Sequence, residues 1–288
     1  MVKGKSVVLI TVWLMLGWIT AVSANNQKPF DEEDLIKESA SVSEAISNIR
    51  HILEQQEFDI IGVVDHAAGA ASVGMDLRPT QLILFSDRRQ ENKLIHDKQT
   101  LAIDLPLKIL VWEDGDGTIN FFYNGPGYLI DRHRLQLHDH HLEKIAKSVR
   151  QFGDVNNGLI TVDSPFSVEQ TVENLRNAIE ALADRGFRVP FVIDFLSDGQ
   201  HEFAHLSATT LLIFGNPNAG TPLMQNQQRI GVDLPQKFLV WEDQYGQTHI
   251  TYNDISFLAE RHDLQGVEQN LENISTALAN FVKVATQE

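Results

Sequence analysis

The chain has 288 residues, 39 acidic and 23 basic, for a formal net charge of -16. It has no cysteine, which excludes disulfides, Cys-ligated zinc, iron–sulfur clusters and thiol catalysis, because each needs a sulfur. With 43% apolar and 22% charged residues it reads as a globular chain, and an acidic surface disfavours nucleic acid and electrostatic docking to anionic lipid.

Residues 1–24 read as a secretory signal peptide. Lys3 and Lys5 precede an apolar stretch at 7–19, and Val22-Ser23-Ala24 offers small residues at the cleavage positions. The stretch is short for a membrane span, which needs about 20 residues, and the chain after Ala24 has no segment long and apolar enough to cross a bilayer. The expectation is an exported protein, periplasmic or secreted. Residues 25–40 read as a linker.

Ser41-Val-Ser-Glu44 is a capping box: the hydroxyl accepts an orphan amide and the glutamate reaches back. Val42, Ala45, Ile46, Ile49, Ile52 and Leu53 then recur at helical spacing. Strands are predicted at 60–64, 81–85 and 107–112, the last opening after a proline, where a missing amide is tolerated. Asp114-Gly-Asp-Gly117 reads as a hairpin turn before a return strand at 119–123. An amphipathic helix with Leu142, Ile145 and Val149 follows. The series then repeats. It runs through a leading strand at 158–162, a second capping box Ser167-Val-Glu-Gln170 with a helix ended by Gly186, and strands at 189–193, 210–214, 238–241 and 248–252. A helix with Val267, Leu271, Ile274, Leu278 and Phe281 closes it.

The repeat is one of residues, not only of pattern. At an offset of 129, residues 58–135 match residues 187–264 without a gap, with 25 identities over 78 positions. Asp104-Leu-Pro returns as Asp233-Leu-Pro, Val111-Trp-Glu-Asp114 as Val240-Trp-Glu-Asp243, and Arg132-His133 as Arg261-His262. Before Phe58 the offset falls to 126, which predicts a first helix about a turn longer in the second copy. The chain is thus read as two homologous domains, 41–152 and 158–288. Sequential strands need helices to cover their apolar face, so each domain is assigned to the α+β class with two layers.

Two segments carry a specific resemblance. Asp65-His-Ala-Ala-Gly-Ala-Ala-Ser-Val-Gly-Met-Asp-Leu-Arg-Pro-Thr80 resembles the first half of the domain-of-unknown-function 302 family. Phe214-Gly-Asn-Pro-Asn-Ala-Gly-Thr-Pro-Leu-Met-Gln225, with the Asp233-Leu-Pro and Val240-Trp-Glu-Asp243 runs, resembles its second half. The resemblance spans both domains. It implies a curved antiparallel sheet covered by helices, similar to the TATA-binding-protein-like fold, and no established reaction; the cofactor is left open. The departures are complementary. The first copy keeps Asp65-His66 but has Ser86-Asp87-Arg88 in place of Gly-Asn-Pro. The second keeps Gly215-Asn216-Pro217 but has Phe195 in place of the histidine.

The candidate ligand-binding residues are therefore Asp65, His66, Gly215, Asn216, Pro217 and Thr221, with Lys108 and Lys237 from the shared remainder. His66 sits at a strand end, where binding residues concentrate, but a direct pair with Asp65 is not expected, since neighbours on a strand point to opposite faces. Thr221 and Pro222 suit the N-cap and first position of a helix whose amides would hold a phosphate or carboxylate. The Arg-His pairs are read as caps at a helix end, and Glu113-Asp114 and Glu242-Asp243 as solvated hairpin turns. His138-Asp-His-His141 is read as a solvated helix start. His201-Glu-Phe-Ala-His205 matches a zinc-protease pattern, but its counterparts in the first copy are Ser72 and Asp76.

The favoured function is an exported binding module whose two copies pack as a pseudo-dimer, with His66 and the Gly215-Asn216-Pro217 loop facing one cleft. The partner expected is a small or anionic ligand rather than nucleic acid. The alternative is a metal-assisted hydrolase built on His66 or on His201 and His205.

Overall fold

Leu82-Ile-Leu-Phe85 and Leu211-Leu-Ile-Phe214 are apolar at every position, a pattern that calls for cover on both faces of a sheet. The computed structural model describes residues 36, 38–135, 157–196 and 207–287, and it supplies that cover. In the first copy, helix α1 (Val42–Gln55) precedes β1 (Asp59–Asp65), α2 (His66–Ser72), β2 (Thr80–Ser86) and α3 (Arg88–Asp97). A 3-10 segment Gln99–Asp104, β3 (Leu107–Glu113), β4 (Ile119–Tyr123) and α4 (Pro126–His133) follow. In the second, β5 (Leu159–Ser164) leads into α5 (Val168–Glu180), β6 (Arg188–Asp194), β7 (Thr209–Gly215) and α6 (Pro217–Asn226). The 3-10 segment Gln228–Val232, β8 (Gln236–Glu242), β9 (Thr248–Asn253), α7 (Ile255–Arg261) and α8 (Glu268–Ala285) complete it.

The strands form two antiparallel sheets, ordered β1-β2-β3-β4 and β5-β9-β8-β7-β6. The protein is α+β, built from two homologous units. Alternation along each strand sorts the side chains between two cores. On one face of the first sheet, Ile83, Phe85 and Val111 pack on Ala45, Ile46 and Ile49 of α1. On the matching face of the second, Leu212, Phe214, Phe238 and Val240 pack on Leu175 and Ile179 of α5 and Leu278 and Phe281 of α8. The opposite faces meet each other: Leu82, Leu84 and Leu110 join Leu211, Ile213 and Leu239 in a third core. The order of layers is helix, sheet, sheet, helix, and the sheets stand back to back.

Around the first helix of each copy, local detail departs from the sequence reading in two ways. Helix α5 is not longer than α1, with 13 residues against 14. The three extra residues of the second copy become a separate 3-10 turn, Ala183–Arg185, closed by Gly186 at φ 94. The first capping box closes nearly as expected, Glu44 N donating to Ser41 Oγ at 3.1 Å and Ala40 N to Glu44 Oε2 at 2.9 Å. The second closes by half: Gln170 N donates to Ser167 Oγ, but the Gln170 side chain turns to Asn174 Oδ1 at 2.9 Å. The signal segment and the helix expected around Leu142, Ile145 and Val149 lie outside the described residues.

A candidate binding cavity between the two copies

Most of the polar residues shared by the two copies lie apart from the divergent residues, although Asp65, identical to Asp194, stands with the latter. The larger shared cluster lies in the junction. Arg132 Nη1 donates to both oxygens of Asp104 at 3.0 Å, and His133 Nε2 meets Asp104 Oδ2 at 2.7 Å. In the second copy Arg261 Nη1 and His262 Nε2 each reach Asp233 Oδ2 at 2.6 Å. Each guanidinium then crosses to the other copy, Arg132 Nη2 to Asn253 Oδ1 and Arg261 Nη2 to Asn124 Oδ1, both at 2.6 Å. Arg261 also stacks on Tyr128, 3.7 Å from the ring centroid. Gln99 Nε2 donates to Thr209 Oγ1 at 3.1 Å, and its counterpart Gln228 Nε2 to Thr80 Oγ1 at 2.8 Å. Every one of these contacts has a partner at an offset of 129, so the junction has pseudo-twofold symmetry.

This corrects the reading of the Arg-His pairs as helix caps. They sit in the last turn of α4 and at the end of α7, but their side chains bind an anion, and the anion is the chain's own buried aspartate. Lys108 and Lys237 belong to the same cluster, donating to the carbonyls of Asp104 and Asp233 at 2.7 and 3.2 Å. Neither lysine lines the cavity described next. Burial, reinforced by the Lys108 charge, pushes the Lys237 ammonium down to about 7. Burial alone would raise the Asp104 and Asp233 carboxyls. The arginine charges and histidine hydrogen bonds outweigh it and hold both well below the usual carboxylate range.

The divergent residues meet at a cavity of about 440 Å³. Helix α2 of the first copy packs beside α6 of the second, with the place of a Gly69 Cβ only 3.7 Å from Pro217 Cγ. Asp65, His66 and Gly69 thereby line it together with Gly215, Asn216, Pro217 and Thr221, and Phe187, Phe214, Leu234, Ile274 and Phe281 are among the apolar residues of the remainder. Asp65 and His66 do not pair. Asp65 Oδ1 caps α2 by accepting from Ala68 N at 2.8 Å, and Oδ2 accepts from Gln81 Nε2 at 2.9 Å. His66 Nε2 lies 3.2 Å from Gly231 O, across the junction. A carbonyl only accepts, so Nε2 carries the proton and Nδ1 keeps its lone pair. Burial pushes the His66 imidazole down to about 4, against the Gly231 hydrogen bond and the Asp65 charge, so the ring is neutral near pH 7.

Helix α6 begins five residues earlier than the sequence suggested. Asn216 is its N-cap, Pro217 opens it, and Pro222 lies inside it. Its first amides are taken: Asn218 N donates to Asn216 Oδ1, and Ala219 N and Gly220 N to Asn216 O, each at 3.0 Å. They offer nothing to a phosphate. Thr221, predicted as the cap, is instead fully buried, and its hydroxyl has no partner. Sequence reasoning missed Gln236. It is 7% exposed, lines the cavity, and neither atom of its amide has a partner. A signal was present: its counterpart in the first copy is Leu107, an apolar residue at the same point of the same strand.

Asp114 and Asp243 stand at the hairpin turns as read, half-buried rather than fully solvated, whereas Glu113 and Glu242 end β3 and β8. Asp114 accepts from Trp112 Nε1 and Asn120 Nδ2, and Asp243 from Tyr245 N and Gln247 N. His138, His140, His141, His201 and His205 lie outside the described residues. Among the described residues no group of three or more His, Asp or Glu side chains is placed to hold a metal, and no helix is long and apolar enough to cross a membrane.

Comparison with known proteins adds three findings. Curated relatives include the fluoride-specific ion channel FluC 1 of Brucella suis biovar 1 (strain 1330) and FluC 2 of Brucella melitensis biotype 1 (strain ATCC 23456 / CCUG 17765 / NCTC 10094 / 16M). Each is 39% identical over 110 residues, 38% of this chain. The chain spans only 42% and 40% of the lengths of those relatives. A solved structure, an uncharacterized conserved protein DUF302 from Bacillus stearothermophilus, is similar at 20% identity and a TM-score of 0.39, over 45% of this chain and 98% of that one. The pattern of the family described as "Domain of unknown function DUF302" matches residues 36–152 and again 160–281. The chain belongs to that family and carries its domain twice in tandem.

Proposed function

We propose that this chain is an exported binding module in which the two domains jointly hold one small molecule. One observation carries the reading. His66 comes from one copy and the Gly215-Asn216-Pro217 loop from the other, and both line a single cavity whose volume lies in the range of small-molecule sites. The complementary losses then make sense: after duplication, each copy needs to keep only the half of the pattern that faces this cavity.

Native mass spectrometry of protein purified from the cell envelope tests it, with an Ala277→Trp variant that puts bulk into the cavity. The expected result is a bound small molecule in the parent chain, at least tenfold depleted in the variant at equal thermal stability. Equal occupancy in both proteins overturns the reading. N-terminal sequencing of the same preparation is expected to begin at Asn25, and an intact Met1 in cytosolic protein overturns export.

A further inference from the structure

The character of the cavity says what it holds. Its walls are largely aromatic and aliphatic, and the carboxylate it presents, Asp65, is occupied by Ala68 N and Gln81. The amides at the start of α6 are spent on Asn216. Against that background two neutral groups stand unsatisfied, the Thr221 hydroxyl and the Gln236 carboxamide, on residues 0% and 7% exposed. Buried polar groups in folded proteins are almost always paired, and the fold does not require a polar side chain at position 236. The sister of Gln236 is Leu107, so a leucine starts the equivalent strand.

We propose that the cavity takes an uncharged, largely apolar molecule bearing one amide-type head group, which pairs its donor and acceptor with the Gln236 carboxamide and the Thr221 hydroxyl. This rests on the preceding reading that the cavity is a binding site, and it adds the class of ligand. A carboxamide offers one acceptor and two donors, so a ligand amide meets Gln236 in a two-point, head-to-head pair. A carboxylate cannot, since it lacks the donor and brings a charge into an apolar enclosure. His66, neutral near pH 7, supplies no counter-charge, and Arg188, the one arginine in the lining, spends its Nη1 on the carbonyls of Ala183 and Phe187.

Four probes of one shape separate the possibilities: 3-phenylpropanamide, 3-phenylpropanoate, 3-phenylpropanol and propylbenzene, titrated calorimetrically into the full chain. The amide is expected to bind at least tenfold tighter than the carboxylate and the hydrocarbon. In Gln236→Leu, which borrows the residue of the sister copy, that preference should fall to less than threefold while propylbenzene binds as well or better. Thr221→Val serves as the second variant, with melting temperatures recorded for both. A carboxylate or hydrocarbon binding as tightly as the amide overturns the proposed class and leaves the site intact. So does an unchanged preference in both variants. Binding of none of the four, together with an Ala277→Trp variant that behaves as the parent, overturns the site and the class together.

Discussion

At the scale of single residues, the junction turns on Asp104 and Asp233. Each carboxylate is buried and is held by an arginine and a histidine from its own copy. Removing one leaves cations buried without their counter-charge, which costs roughly 3–5 kcal/mol. Asp104→Asn is therefore expected to lower unfolding free energy by about 3–5 kcal/mol in urea titrations, and a loss under about 1 kcal/mol would show that the pair contributes little. The pH dependence has a definite sign. A carboxyl whose folded value is depressed contributes stability that is present above its unfolded value, about 3.9, and is lost as pH falls toward the folded one. The parent chain should lose stability steeply below about pH 4. Asp104→Asn should show a shallower slope there, read from urea midpoints taken along a pH series.

At the scale of elements, helix α6 shows what sequence can and cannot fix. Asn216-Pro217 and Thr221-Pro222 are both valid cap-and-first-residue pairs, and local chemistry does not choose between them. The fold chooses the first, because Asn216 is also tied to the 3-10 turn Ala183–Arg185: its Nδ2 donates to Arg185 O at 3.0 Å. Asn216→Ala is expected to cost about 1 kcal/mol, seen as a lower melting temperature. Asn216→Asp, which keeps the capping oxygen but lacks the donor to Arg185 O, should recover only part of the loss. If both variants melt alike, the cap oxygen is not what holds the helix start. The elements with strong periodicity, α1, α5 and α8, and the strands around Trp112 and Trp241, were legible because their apolar pattern is local. The partners of Gln170 and Arg132 were not, since those contacts depend on which neighbour the tertiary structure brings within reach.

At the scale of the molecule, the duplication was legible in the identities, but its physical reason was not. Among the residues retained in both copies, Asn124/Asn253, Arg132/Arg261 and Gln99/Gln228 grip the other copy, and Asp104/Asp233 hold the arginines that do so. Nor did the sequence say that the sheets meet back to back, although the unbroken apolar runs of β2 and β7 hinted that each sheet has two covered faces. A fragment spanning 157–288 would expose Leu211, Ile213 and Leu239, which the full chain buries. It is expected to pair with itself or aggregate, as light scattering after size exclusion would show, and a stable, soluble monomer would contradict the shared core. The two halves are not equal in the end. Where the second copy has Gly220 beside the cavity, the first has Glu91, buried and taking a hydrogen bond from Ser86 Oγ at 2.6 Å. A symmetric dimer of single domains would carry two such chambers and could couple them. Fusing the halves frees the two sides to diverge, and on the proposed reading titration should follow a simple hyperbola that saturates at one molecule per polypeptide.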